Sequence, residues 1–138
     1  MSLFDKLMAV DDTKVNEKKK TVVKSNRLSE LLGVEVEITL DELPYRQVAQ
    51  ITDRAMKDNG RTDPDRMVDA ECHMIRLSCR DIPFGDAALQ KKFNASDPRD
   101  LVERMFGSEV KKLAGIVMEM SGLGDDDEEE LRDEVKNG

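Results

Sequence analysis

The sequence predicts a mainly helical α+β domain in which a small N-terminal antiparallel β-hairpin packs on about five helices. Apolar and polar residues alternate over Val34–Leu40, which is typical of a strand with one buried face. Beyond residue 41 the apolar residues recur at helical spacing, in segments bounded by Pro, Gly and Asn-Gly. Because an isolated two-stranded hairpin is only marginally stable, we expect it to lie against these helices.

Length and composition indicate a single small domain. The chain has 138 residues, and its charged and hydrophobic fractions are both 38%, which suits a thin helical domain better than an enzyme with a deep pocket. No apolar run approaches the ~18 residues of a membrane span, and no leader segment is visible. We therefore expect a soluble intracellular protein, and the two cysteines fit a reducing compartment.

The negative charge is concentrated at the C-terminus. The formal net charge is −8, and residues 125–138 alone contain eight acidic and two basic residues. The rest of the chain is nearly balanced, so no large basic face can be assembled and nucleic acid is disfavoured as a partner. We expect no membrane partner either. Residues 125–138 are predicted to be a disordered acidic tail.

The folded domain is predicted to span residues 21–124. Residues 1–20 contain one short amphipathic turn followed by a charged run without apolar periodicity, so we predict a flexible N-terminal arm. The apolar residues of that turn are Leu3, Phe4, Leu7 and Met8.

Within the domain, local signals place each element. Thr21–Lys24 is the first predicted strand, and a short helical turn closed by Gly33 leads to the second. The helices that follow begin near proline or a capping residue and end near glycine or asparagine. We predict helices at Asp41–Asp58, from Asp63 to about Cys79, at Ala87–Phe93, from Ser96 to Met105, and within Phe106–Gly124. In the last of these, we expect Ser108 to be the N-cap and Gly122 and Gly124 to form a left-handed stop.

Two helices carry more apolar surface than one buried face requires. The helix after Asp63 has apolar residues on nearly opposite sides, and Val110–Met120 is apolar around most of its circumference. Such a helix lies between two layers or presents a face to another molecule. Methionine suits both roles, since it fills cores and is favoured on adaptable binding surfaces. The candidate partner-binding residues are Met67, Met74, Leu77, Ile116, Val117 and Met120.

Cys72, His73 and Cys79 are the residues that could indicate a metal site. The two cysteines are seven residues apart and share one helix face, whereas the histidine points about 100° away. No other Cys or His exists to complete a tetrahedral set. We expect buried cysteines, a histidine on the polar side of its helix, and neither metal nor cofactor. Because no nucleophile has a suitable base beside it, we expect no catalytic residues and no enzyme activity.

The order of these segments resembles the XkdN-like family of phage tail assembly chaperones, found in long-tailed phages and PBSX-type prophages. The matching stretches are VEVEITLDELPYRQV, the short helix Asp86–Phe93, SDPRDLVERMF and GSEVKKLAGIVMEMSGL. The sequence departs from the family pattern by inserting Ser108, by placing Asp97 before Pro98, and by carrying Met120 where Leu is common. The resemblance covers about residues 20–124.

This resemblance implies a non-enzymatic chaperone of the bacterial host cytoplasm that is not expected in the mature virion. Such a protein would bind the tape measure protein and keep it soluble. It would also help to recruit tail tube subunits, in some phages through a longer, frameshifted form. The alternative from the residues alone is a small helical adaptor that acts through homodimerisation. The sequence leaves open the oligomeric state and which apolar faces are core.

Overall fold

The computed structural model describes residues 2–56 and 59–123 and confirms the predicted fold class. The described chain is mainly helical, with one two-stranded antiparallel sheet near its N-terminus. The elements in chain order are α1 (Leu3–Met8), α2 (Asp12–Val15), β1 (Lys20–Lys24), α3 (Asn26–Leu32), β2 (Glu37–Asp41), α4 (Tyr45–Asp53), α5 (Pro64–Ser78), α6 (Ala87–Lys92), α7 (Pro98–Phe106), a 3-10 turn (Gly107–Glu109) and α8 (Val110–Met120).

The N-terminal segment contains two short helices with exposed side chains. A capping box between Ser2 and Asp5 begins α1, which confirms the predicted helical turn. The second helix, α2, was not predicted, and the Asp11 carboxylate caps it by accepting a hydrogen bond from the Thr13 amide at 2.9 Å. Every described residue from 2 to 20 is exposed. The flexibility of this arm stays a prediction, and the predicted acidic tail lies outside the described residues.

The hairpin forms as the alternation predicts. Strands β1 and β2 are antiparallel, and Val23 lies opposite Ile38. Ile38 and Leu40 are buried against the helices, whereas Glu37 is exposed. The sheet therefore presents one apolar face to the core.

The second strand begins later than predicted. It starts at Glu37 rather than Val34, because the end of α3 continues into a connecting segment. Gly33 ends α3 in the left-handed conformation, with φ of 71°. The Val36 amide then donates a hydrogen bond to the Ser29 hydroxyl at 2.9 Å, which holds this segment against α3 instead of in the ladder.

Helix α4 is shorter than the predicted Asp41–Asp58. Asp41 is the last residue of β2, where it pairs with Lys20. Pro44 has extended backbone angles, φ −55° and ψ 135°, and stands before the first helical turn. The predicted end at Asp58 lies outside the described residues.

Helix α5 is the central element of the core. The Asp63 carboxylate caps it by accepting from the Asp65 amide at 3.0 Å, and Pro64 follows as its first residue, as predicted. The helix packs against α4, α7, α8 and β2. Met74 and Ile75 are both fully buried. The two apolar stripes therefore place this helix between layers.

Helix α6 begins at Ala87 as predicted, and α7 begins at Pro98, two residues after the predicted Ser96. The Asp86 carboxylate accepts from the Leu89 amide at 2.8 Å, and the Asp97 carboxylate accepts from the Asp100 amide at 2.9 Å. Both are N-cap hydrogen bonds of the kind that stabilises a helix by about 1 kcal/mol. The α7 side chains Leu101 and Val102 are fully buried against α5.

The prediction that Ser108 caps the last helix is wrong. A 3-10 turn at Gly107–Glu109 leads into α8, and no side chain caps the helix start. Gly107 has φ of +54°, and a Cβ there would clash with the Arg27 guanidinium. The close approach of Arg27 to this turn thus requires glycine at position 107. At the other end Gly122, with φ of 88°, forms the left-handed stop as predicted, and Gly124 lies outside the described residues.

Candidate partner-binding surfaces

The structure divides the predicted partner-binding residues into two groups. Met74 and Val117 are fully buried, and their side chains fill the core between α5 and α8. The other four are partly buried and lie at the edge of that core: Met67, Leu77, Ile116 and Met120. In the folded domain a partner can therefore touch only these four, and the two buried residues can act only by supporting them.

The edge of the α5–α8 pair is held in place by polar contacts. The Ser78 hydroxyl donates a hydrogen bond to the Asp41 carbonyl at 2.6 Å. The Leu43 amide donates to the Ser121 hydroxyl at 3.1 Å, so the C-terminal ends of both helices are tied to the end of β2 and the segment after it. Met120 is also fixed, because its Sδ accepts a hydrogen bond from the Thr21 hydroxyl at 3.1 Å. Hydrogen bonds therefore hold the helix ends beside these four partly buried apolar side chains.

A second apolar surface lies on α1 and is far more exposed. Its four large side chains are between 62% and 72% exposed, and none contributes to the core. They follow a spacing that puts them on one side of a short helix. We call these residues the α1 face: Leu3, Phe4, Leu7 and Met8. The sequence predicts an amphipathic turn here but not that its apolar side stays outside the core.

Further exposed apolar residues lie on β1 and around the end of α3. Leu31, Leu32 and Val34 are each between 60% and 62% exposed, and Val22 on β1 is 61% exposed. Isolated exposed apolar residues are common on any protein, but runs of consecutive ones are typical of interaction surfaces. The sequence pattern predicted α3 but not the exposure of its last turn.

His73 was expected on the polar side of its helix, and in the structure it is partly buried among charged side chains. It is half-buried on the wall of a cavity of about 210 Å³ between α4, α5 and the start of α7. Burial lowers the pKa of its imidazole, and the positive charges of Arg99, Arg76 and Arg54 lower it further. Its Nδ1 is buried and makes no hydrogen bond to the described residues. The imidazole is therefore held neutral near pH 7.

Both cysteines are buried, which confirms their prediction as small core residues. Burial raises the pKa of the Cys72 thiol to about 12 and that of the Cys79 thiol to about 11. A thiolate is the reactive form of cysteine, so neither side chain is activated as a nucleophile. Among the described residues, no group of three or more His, Cys, Asp or Glu side chains could hold a metal ion.

The comparisons with known proteins identify the family. The chain matches the model of the phage XkdN-like tail assembly chaperone proteins over residues 4–136, which includes the N-terminal segment and most of the acidic C-terminus. Comparisons with curated proteins and with solved structures found no match. No helix in the described part of the chain is long and apolar enough to cross a membrane. The chain belongs to the phage XkdN-like tail assembly chaperone family.

Proposed function

We propose that this protein binds the tape measure protein in the bacterial host cytoplasm, keeps it soluble, and helps to recruit tail tube subunits to it. The observation that carries the proposal is the α1 face, which leaves four large apolar side chains outside the core of a family member whose role is chaperoning. Exposed apolar patches of this kind mark protein-protein interaction sites.

The binding mode follows from helix packing. An apolar face on one helix can cover the apolar stripe of a second helix, with anchors at helical spacing. The tape measure protein is expected to be long and largely helical, so it offers many such stripes. The four edge residues of the α5–α8 pair (Met67, Leu77, Ile116 and Met120) form a second contact in this proposal. The surplus of negative charge keeps the resulting complex dispersed.

Co-expression with the tape measure protein tests the role of the α1 face. We expect the wild-type chain to raise the soluble fraction of the tape measure protein. A double variant, Phe4→Ser with Leu7→Ser, should lower that fraction at least fivefold without changing the melting temperature, because neither side chain is buried. Lys6→Ser is the matched control on the same helix. An unchanged soluble fraction in the double variant would exclude the α1 face as the binding surface.

The second contact is tested separately. Ile116→Ser should weaken co-purification of the tape measure protein while the domain stays folded, since Ile116 lies at the edge of the core. Circular dichroism must accompany the pull-down, because loss of binding together with loss of helix would indicate only a core role. Tube recruitment is tested by adding tail tube protein: it should co-purify only when the tape measure protein is present or when a longer form of this chain is used.

A homodimeric adaptor is the second candidate function, and the same exposed α1 face favours it. Two copies could pack these faces against each other. Light scattering over a hundredfold concentration range should then show a rise in mass that Phe4→Ser with Leu7→Ser abolishes. A constant monomeric mass would exclude this function and leave the chaperone proposal untouched.

A further inference from the structure

The cavity beside His73 has three arginine side chains among its seven lining residues. It is open to solvent on one side, and its lining residues are Ile51, Arg54, Arg66, Asp69, Ala70, His73 and Arg99. The three arginines come from three different helices. Arg54 ends α4, Arg66 lies in the first turn of α5, and Arg99 lies in the first turn of α7. The cavity thus collects three positive charges and one negative charge in a protein whose net charge is −8.

None of the three arginines forms a salt bridge within the described part of the chain, including with Asp69. Arg66 is oriented by a hydrogen bond from its Nη1 to the Met56 carbonyl at 3.3 Å. Guanidinium groups recognise carboxylates and phosphates through parallel N–H donors. A cluster of three at one opening therefore favours an anionic ligand.

The size of the cavity and its apolar wall favour a carboxylate side chain over a small inorganic anion. A volume of about 210 Å³ exceeds what one carboxylate needs, and Ile51 and Ala70 contribute apolar surface to the wall. A glutamate or aspartate side chain has an apolar stem below its charged head and can use both kinds of surface. A free phosphate ion has no apolar part and gains nothing from the aliphatic wall.

We propose that this cavity, the arginine pocket, binds a carboxylate side chain of an acidic protein segment. Arg54 and Arg99 contact the carboxylate from opposite helices, and Asp69 limits the affinity by repulsion. The site is independent of the α1 face and of the tape measure proposal. Its ligand can come from a partner protein or from the acidic C-terminus of this chain, since the two share the same chemistry.

His73 provides a direct reporter for this site, because it is the only histidine in the chain. Its Cε1–H resonance is therefore unambiguous in an NMR spectrum. The charged groups that face it are Arg54 from α4, Arg66, Asp69 and Arg76 from α5, and Arg99 from α7. A bound carboxylate offsets the arginine charges, so binding should raise the pKa of the imidazole toward its ordinary value.

The experiment titrates the full chain at constant ionic strength with three probes: capped hexaglutamate, capped hexaglutamine and inorganic phosphate. We expect hexaglutamate alone to shift the His73 resonance saturably and to raise its pKa. Arg99→Gln should weaken binding at least tenfold, and Asp69→Asn should strengthen it two- to threefold. Arg46→Gln is the matched control, because Arg46 is exposed on α4 and does not line the pocket; it should change the affinity less than twofold.

A parallel titration separates the two sources of the carboxylate. The full chain with all eight acidic residues of positions 125–138 changed to Asn or Gln is titrated in the same way. A saturable shift that appears only in this variant supports the pocket and assigns the acidic C-terminus as its occupant. The proposal is overturned if neither chain responds to hexaglutamate or if hexaglutamine acts equally. It is also overturned if phosphate binds and hexaglutamate does not, or if Arg46→Gln weakens binding as much as Arg99→Gln.

Discussion

Helices α1 and α8 have similar sequence patterns and opposite environments. Each has large apolar residues at spacings that put them on shared faces. In α8, the residues Val110, Leu113 and Val117 are buried against the domain, whereas α1 buries none of its residues. Hydrophobic spacing therefore predicts that a helix has an apolar face, but the covering of that face depends on which elements lie nearby. In this structure the α1 face is left uncovered.

Substituting one buried and one exposed methionine tests this difference between the core and α1, and is expected to change the free energy of unfolding the most. Met74 is fully buried, whereas Met8 is 71% exposed. Met74→Ala should lower the free energy of unfolding by about 2–5 kcal/mol, because it removes packed atoms and leaves a cavity. Met8→Ala should change it by less than about 0.5 kcal/mol. Urea unfolding followed by circular dichroism measures both, and a large loss in Met8→Ala would mean that α1 packs on the domain.

The second-largest difference in stability is expected between two helix-capping interactions, one at α3 and one at α1. The Glu109 carboxylate, just before α8, accepts hydrogen bonds from the Ser25 hydroxyl at 2.8 Å, the Asn26 amide at 3.0 Å and the Arg27 amide at 3.2 Å. A negative charge is thereby placed at the N-terminus of α3, where it interacts favourably with the helix dipole. This carboxylate couples two elements that are more than 80 residues apart in sequence.

Glu109→Gln should therefore lower the free energy of unfolding by about 1–3 kcal/mol, since one charged acceptor of buried and backbone donors is lost. Ser2→Ala removes the capping box of α1 instead. That change should leave the global unfolding transition unaltered, because α1 contributes nothing to the core. Equal losses in the two variants would contradict the distinction between a coupled helix start and an isolated one.

Caps within a helix can be predicted from the sequence, whereas contacts between distant segments cannot. Asp63 and Asp97 cap their own helices within three residues, so a local pattern was sufficient to place α5 and α7. Glu109 acts across the fold, and nothing near residue 109 indicates its partners. Met67 and Met74 are two turns apart on one face, yet only Met74 is fully buried. Spacing identified that face, but the position of α8 decides which part of it remains accessible.

Glu71 provides a pH-dependent test within the buried region. Its side chain is buried on α5, and this burial raises the pKa of the carboxyl group above its ordinary value of 4.5, while Lys111 acts in the opposite direction. An acid whose pKa is raised on folding binds more protons in the native state. Its contribution to stability is favourable at low pH and is lost as the pH rises through the native pKa.

Glu71→Gln should consequently be more stable than the wild type at about pH 7, by less than the Glu109→Gln effect, and equal to it near pH 4. Thermal unfolding at both pH values measures the difference. Glu119→Gln, on the exposed side of α8, is the matched control and should show no such pH-dependent gain. A Glu71→Gln variant that is less stable at pH 7 would mean that the attraction of Lys111 outweighs burial.

The smallest expected effect concerns Ser108, at the start of α8. Serine before an apolar helix is a common N-cap, and its replacement by alanine typically costs about 1 kcal/mol. Here the residue lies in the middle of the 3-10 turn, and no side chain caps α8. Ser108→Ala should therefore change the free energy of unfolding by less than about 0.5 kcal/mol. Asp97→Ala, which removes a cap that does form on α7, is the matched comparison and should cost about 1 kcal/mol. If the two substitutions cost the same, the start of α8 resembles a locally capped helix, and its dependence on α3 through Glu109 and Gly107 is weaker than the contacts imply.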